Sequence, residues 1–282
     1  MNIKKTALLF CVQLAAFPAF AQDSVTVDLS FLPNQTFTLE ENLNVEMDMD
    51  YQGRKTPELM IFLSTIPNDL KMRSEKVVKL STADVAADGS VPIEMNIQKF
   101  RNFSSENGSA MTLMNQQPSP FEGVSLLAKH AENGEIHYEK TLSDSSVKFD
   151  DDGVIELLPQ AMMYADLNQK TFEVGETLPV KMPIDELADH QISESVNVLF
   201  TLKKVEDQKA YFDLKVEPET ALDIRSGTNA ELSGGGMMIY DIKHHYIPEQ
   251  NTRYVLNTST RVEIGRLVLK ASTEISTQVT LN

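Results

Sequence analysis

A pattern of alternating side chains occurs twice in this chain, and no other feature restricts the fold as much. Residues 32–49 and 167–184 align without a gap at an offset of 135 residues, and seven of the 18 positions are identical: Leu32/Leu167, Thr36/Thr171, Phe37/Phe172, Glu41/Glu176, Leu43/Leu178, Val45/Val180 and Met47/Met182. About one identity is expected by chance, so the chain carries a duplicated unit. In the first copy Phe37, Leu39, Leu43, Val45, Met47, Met49 and Tyr51 alternate with Thr, Asn, Glu and Asp. A period of two is that of a strand with one face buried and the other in water. Glu40-Glu41-Asn42 in the first copy and Gly175-Glu176 in the second interrupt the pattern. They predict a bulge or tight turn, with a short strand before it and a longer one after it. Pro179 and Pro183 take outward positions in the second copy. Proline has no amide to donate to a ladder, so this strand is expected at a sheet edge, where it needs a cover or a partner.

The rest of the chain reads as short alternating segments between turn signals. Residues 23–30 predict a first strand, and Thr56-Pro57-Glu58 marks a helix start with proline at the first helical position. Residues 59–66 suit a short buried helix or a buried strand. Strands are expected over 76–81 and 91–103, with a hairpin through Asn107-Gly108 into 109–115. Residues 116–123 form a loop, and 124–130 and 135–142 form a hairpin around Asn133-Gly134. Asp150-Asp-Asp-Gly153 is expected to turn a further hairpin between 145–149 and 154–158. Residues 159–167 are the joint between units. After the second copy come a short helix over 183–190, a hairpin over 193–205 and 210–216, a glycine-rich kink at 233–236 before a strand over 237–242, and two long strands over 253–264 and 266–281. Leu267, Leu269, Ala271, Ile275, Val279 and Leu281 keep one parity in the last strand. Closely spaced turns with few helical patterns predict an all-β, β-dominated fold. It is expected as two duplicated antiparallel curved sheets or half-barrels with a few short helices, over units 22–158 and 159–282.

The first residues have the form of a secretory signal. Lys4 and Lys5 precede a largely apolar run over 6–17, and Ala19-Phe-Ala21 is a small-x-small cleavage site. The mature chain is expected to begin at Gln22 in the periplasm or outside the cell. The apolar run is shorter than the roughly 20 residues of a spanning helix, so no transmembrane segment is expected in the mature chain. Cys11, the single cysteine, lies inside the signal, and lipoprotein processing there would cut the apolar run in half. The mature chain then has no disulfide, cysteine metal site or thiol nucleophile. The formal charge of −16 becomes −18 when Lys4 and Lys5 leave. So acidic a chain repels phosphate backbones, which disfavours nucleic acid, and anionic membrane surfaces too. The same charge also serves simply to keep an exported protein soluble. Tryptophan is absent, which removes binding platforms built on that side chain.

No catalytic motif stands out. Asp150-Asp-Asp-Gly153 with Ile155 has the centre of a calcium-binding loop, but Lys148 and Pro159 at its ends cannot be ligands. The chain has 13 methionines, including the pairs Met162-Met163 and Met237-Met238 near His244-His245. Thioether and imidazole could hold copper(I), but the spacing is irregular, and methionine is a good filler of adaptable apolar space. No metal or cofactor is expected. Neither Gly-x-Ser-x-Gly nor His-Glu-x-x-His occurs. Ser145 and Lys148, like Asp241 and His244, are placed three apart on strands, where they point to opposite faces. Gly234-Gly-Gly236 opens no helix, so it predicts a bulge or strong coiling of the sheet rather than a phosphate cradle. Glycosylation sequons at Asn34, Asn102, Asn107 and Asn257 are read as coincidence.

The second copy, with Val174-Gly175-Glu176, followed by a hairpin and by residues 234–241, resembles a group of exported bacterial β-rich proteins of unknown function. In these a Leu-Pro-x-x-x-Val-x-Val-Gly-Glu-x-Trp element recurs. Here Asn168 replaces the proline, Phe172 the first valine and Leu178 the tryptophan. That group is similar to the half-barrel of the Lol lipoprotein carriers, which implies a curved antiparallel sheet holding an apolar ligand. The expected function is non-enzymatic binding of a lipid or other apolar ligand in a sheet concavity of the bacterial envelope. Phe37, Leu43, Val45, Met47, Phe172, Leu178, Val180 and Met182 would line either that cavity or a filled core. The alternative is an interaction module that docks another exported protein by the edge strand bearing Pro179 and Pro183, or by the loop over 116–123. A hydrolase assembled from distant residues is the outsider.

Overall fold

The computed structural model describes residues 23–54, 56–64, 67–114, 119–131, 134–144, 146–158, 165–183, 195–217, 221–222, 228–262 and 265–282. The signal segment, Met162-Met163 and all but Pro183 of the helix expected over 183–190 lie outside them. Among the described residues the fold is all-β. The elements are β1 (Ser24–Thr26), β2 (Thr36–Gly53), α1 (Pro57–Ser64), β3 (Asp69–Thr82), β4 (Val91–Glu106), β5 (Thr112–Leu113), β6 (Ser125–His130), β7 (Ile136–Thr141), α2 (Asp151–Glu156), a 3₁₀ turn (Ala165–Leu167), β8 (Thr171–Glu173), β9 (Thr177–Pro183), β10 (Ser195–Glu206), β11 (Lys209–Val216), β12 (Ala221–Leu222), β13 (Thr228–Asp241), β14 (Tyr246–Val262) and β15 (Gly265–Leu281).

Strands from both copies share one antiparallel sheet, in the order β7-β6-β4-β3-β2-β15-β14-β13-β11-β10-β9, with β5 added to β4 and β12 to β13. A separate two-stranded sheet pairs β1 with β8. The N-terminal strand therefore sits on the second copy, and the early and late parts of the chain interlock. The link across the large sheet is β2 against β15, paired without a break from Phe37↔Leu281 to Gly53↔Gly265.

The two copies differ where the alternation is interrupted. β2 runs straight through Glu40-Glu41-Asn42 as one strand of 18 residues, with no bulge. Glu41 simply takes an inward place in the series Leu39, Glu41, Leu43. In the second copy Gly175, aligned with Glu40, adopts φ +89 and turns the chain between β8 and β9. Glycine holds that conformation at little cost and glutamate does not, so one substitution decides whether the copy is one strand or two.

Two other expectations need correction. Asp150-Asp-Asp-Gly153 starts α2 instead of turning a hairpin. The Asp150 carboxylate accepts the Gly153 amide at 2.9 Å, and its carbonyl accepts the Val154 amide at 3.1 Å. This is an N-cap, and the acidic residues that follow suit the positive end of a helix. Asp241 and His244 do meet. β13 ends at Asp241, whose Oδ1 accepts the amides of Lys243 and His244 and lies 3.1 Å from His244 Nδ1. The helix at Thr56-Pro57 forms as expected. The kink at 233–236 keeps an unbroken register with β14. There the strands approach so closely that a Cβ at Gly236 would lie 2.0 Å from the Asn251 carbonyl oxygen.

On each open edge of the large sheet an aspartate takes one outward amide. On β9, Pro179, Lys181 and Pro183 share the outward parity. The prolines have no amide, and the Lys181 amide is taken by Asp166 Oδ2 at 2.8 Å. On β7 the Tyr138 amide is taken by Asp151 Oδ1 at 2.6 Å. On β9 few edge donors are left for an incoming strand.

Gly236→Ala is expected to destabilise the protein by about 3 kcal/mol, the upper end of an overpacking penalty, read as a lower urea midpoint. The Asp151 carboxyl is held below its usual range, first by the Tyr138 amide and then by the His137 side chain. Its folded pKa lies below the unfolded value of about 3.9. The cap is therefore fully present above about pH 4 and lost as pH falls through the folded pKa. Asp151→Ala removes the cap at every pH. It is expected to give concentration-dependent association at pH 7 on size-exclusion chromatography; elution identical to the parent at all concentrations would show that the cap does not guard this edge.

Candidate functional site

The apolar face of the large sheet changes character along its strands. At one end it is packed into two cores. One holds Phe172, Val180, Met182, Phe200 and Phe212, joined by Val25 and Val27. The other holds Phe37, Leu39, Val78, Leu80, Met95 and Leu126, joined by Val154 and Leu157 of α2 and the turn after it. Phe172 and Val180 are fully buried, Met182 and Phe37 nearly so, and Leu178 packs partly buried against the first core. The site positions expected in the second copy, Phe172, Leu178, Val180 and Met182, are therefore core.

A polar row crosses this face. Gln250 on β14, Thr277 on β15, Glu41 on β2 and Lys76 on β3 are successive register partners. Lys76 Nζ lies 2.8 Å from Glu41 Oε1, with side chains only 9% and 16% exposed. Beyond the row the first copy changes role. Leu43, Val45, Met47 and Met49 are half-buried, as are their partners Ile275, Ala271 and Leu269 on β15 and Met72 and Leu70 on β3. Among the described residues none of these nine belongs to either core cluster or packs against one. The opposite face at these positions carries Asn44, Glu46, Asp48 and Asp50, all exposed.

Beside this apolar area lies a set of unsatisfied polar groups. Gln250 Nε2, Thr252 Oγ1 and Tyr254 OH have no hydrogen-bond partner, although their residues are 2%, 5% and 4% exposed. They occupy alternate positions of β14 and so project from the same face. Burial pushes the Tyr254 phenol up to about 12; Thr252 stands near enough to offset this slightly, yet neither hydroxyl reaches hydrogen-bonding geometry. Across from them β13 offers only bare backbone, at Gly236 opposite Thr252 and Gly234 opposite Tyr254. A buried polar group left unpaired costs about 1–3 kcal/mol, so three in a row call for a cause.

A second site lies where the two cores meet. A cavity of ≈60 Å³ is lined by Phe31, Phe37, Leu39, Leu80, His245 and Tyr246, among others. It is far below the roughly 300 Å³ of an ordinary ligand pocket. Tyr240 clamps the nearby linker, donating to the Asp28 carbonyl at 2.8 Å while its oxygen accepts the Asp28 amide at 3.0 Å. Ser30 Oγ lies 3.2 Å from His245 Nδ1, and Asp28 Oδ2 lies 3.4 Å from the same nitrogen. A catalytic relay needs the serine on one imidazole nitrogen and the acid on the other. With both on Nδ1, this trio ties the linker to the β13–β14 turn and does not form that relay. Burial pulls the His130 imidazole down despite the nearby Asp28 charge, and Phe31 meets its ring edge-on at 5.4 Å. Among the described residues no group of His, Asp, Glu or Cys could hold a metal ion, and no helix is long and apolar enough to cross a membrane.

Sequence reasoning identified the apolar strand positions but not this polar set. Glu41 was part of an expected irregularity, and Gln250, Thr252 and Tyr254 carry no motif. A sharper signal was available: they share the parity of Leu256 on a strand otherwise rich in polar residues.

No protein-family model and no curated protein matches the chain. Among solved structures, a lipovitellin chain aligns over 89% of this chain at 7% identity and a TM-score of 0.45, and this chain spans only 26% of that one. An outer membrane channel from Pseudomonas putida F1 aligns over 89% of this chain and 97% of its own at 11% identity and a TM-score of 0.24. The translocator domain of the autotransporter NalP from Neisseria meningitidis aligns over 89% and 90% at 9% identity and a TM-score of 0.20. Scores this low carry no weight for fold or function.

Lys76→Met leaves Glu41 without its partner on a largely buried face and is expected to cost about 3 kcal/mol. The double variant Glu41→Leu/Lys76→Met removes both charges and is expected to regain most of that loss. Urea denaturation of the three proteins measures the difference.

Proposed function

We propose that this chain is an exported, non-enzymatic protein that holds a lipid or other apolar ligand against the inner face of its large sheet. The observation that carries this reading is the half-buried apolar area around Leu43, Val45, Met47 and Met49, which continues the second core along β2, β3 and β15 but, among the described residues, belongs to neither core. Aliphatic and thioether side chains dominate it, suited to flexible hydrocarbon rather than to a rigid polar ligand. At the same end of the sheet stand α1 and β5. Met60, Ile61, Met111, Leu113 and Met114 there are five of the nine exposed large hydrophobics among the described residues. Such a concentration marks an interaction surface and suits the end at which a ligand enters. Docking of another exported protein by strand addition is the weaker reading, because the proline-bearing edge has its donors removed or capped.

Organic extraction of the purified protein, followed by mass spectrometry, is expected to release lipid. Met47→Asp on the half-buried area is expected to lower the lipid recovered at least ten-fold and leave the thermal midpoint within a few degrees of the parent. Val180→Asp, in the filled core, is expected to unfold the protein. Lipid-free extracts from protein purified without detergent, or Met47→Asp protein that still carries lipid, would remove this reading.

A further inference from the structure

We infer that the inner face binds lipids through a neutral carbonyl oxygen, so that the ligand is an acyl ester or amide rather than a hydrocarbon or a free fatty acid anion. This rests on the apolar-face reading above and adds the ligand's chemical class. The unpartnered groups define that class. Gln250 Nε2 is a donor only, and Thr252 and Tyr254 each carry a hydroxyl hydrogen to give. All three lie on the inner face of β14, more than nine-tenths buried and without partners. Their rows lead directly to the half-buried apolar residues: Thr252 pairs with Ile275, which pairs with Leu43, and Tyr254 pairs with Thr273, which pairs with Val45. An acyl chain lying over Leu43 and Val45 would carry its carbonyl two strands away, at β14.

The local charge selects a neutral acceptor. Lys76 in the adjoining row is already matched by Glu41 at 2.8 Å, so that row offers no net positive charge to a buried carboxylate or phosphate. An uncompensated anion in such a place is strongly disfavoured, whereas a carbonyl needs only donors. A saturated hydrocarbon would leave all three donors unmet. The bare backbone of Gly234 and Gly236 opposite keeps side chains off that position.

The test uses delipidated full-length mature protein and the neutral fluorophore N-phenyl-1-naphthylamine, which reports occupancy of the apolar face. It is displaced in turn by methyl palmitate, palmitate and octadecane. Methyl palmitate is expected to displace it at a concentration at least ten-fold lower than either of the others. The variant Gln250→Met/Thr252→Val/Tyr254→Phe keeps shape but removes the donors. It is expected to lose the ester preference when each lipid is scored against the variant's own affinity for the dye, while its lipid-free form melts at a higher temperature because these three groups are no longer left unmet. An ester preference that survives in the variant, or a parent that takes octadecane as readily as the ester, overturns the inference and leaves the apolar-face reading in place. Palmitate displacing as well as the ester overturns the neutral-acceptor part. Failure of the dye to bind the parent removes both readings.

Discussion

The pairing of β2 with β15 is the interaction on which the rest of the structure depends. It joins strands from opposite ends of the described chain in one unbroken register, and all strands on either side hang from it. Its side-chain pairs explain why the register is unique. Leu43 faces Ile275, Met47 faces Ala271 and Met49 faces Leu269, while Asp48 faces Lys270 on the other surface. A slip by one residue would exchange the two surfaces of the sheet. The end is pinned as well: the Asn282 amide donates to the Thr36 carbonyl at 2.8 Å, and its side chain donates to Thr38 Oγ1 at 3.0 Å.

Around this pair, the duplicated sequence has been put to two uses. The same residue types are filled core in one copy and open surface in the other: Val180 is fully buried and Val45 is half-buried. Position in the sheet makes the difference. β9 lies at the edge, curled over a core that β1 and β8 complete, whereas β2 lies at the centre and is too long for the cores to cover. Gly175 and Glu40 show how little sequence change separates these fates. The polar row at Glu41 marks where the second core ends on the central strand.

Much of this was legible in the sequence because it follows from local rules. Alternation gave the strands and their buried parity, the proline before Glu58 gave α1, and Pro179 and Pro183 gave the edge. The misread parts share a physical origin. Asp150 is as suitable for a turn as for a helix cap, and only contact with β7 decides between them. Glu41 looked like an interruption because its partner Lys76 lies on another strand, and no single strand shows that the two charges face each other. The joining of both units into one sheet, and the unmet donors on β14, arise from pairings between distant segments. No local pattern encodes these. The functional area is thus half legible: its greasy positions can be read off β2, but its boundary and polar flank cannot.

The seating of β15 beside β2 also fixes an order of events. A ribosome makes β2 well before β15, so β2, the longest strand among the described residues, lacks one of its two neighbours throughout the synthesis of the segments between them. During that interval its apolar face and its free backbone are open to any other chain. Stepwise folding from the amino end, available to proteins built from independent modules, is closed to this one. Its nascent form has to be kept apart from its neighbours until β15 arrives.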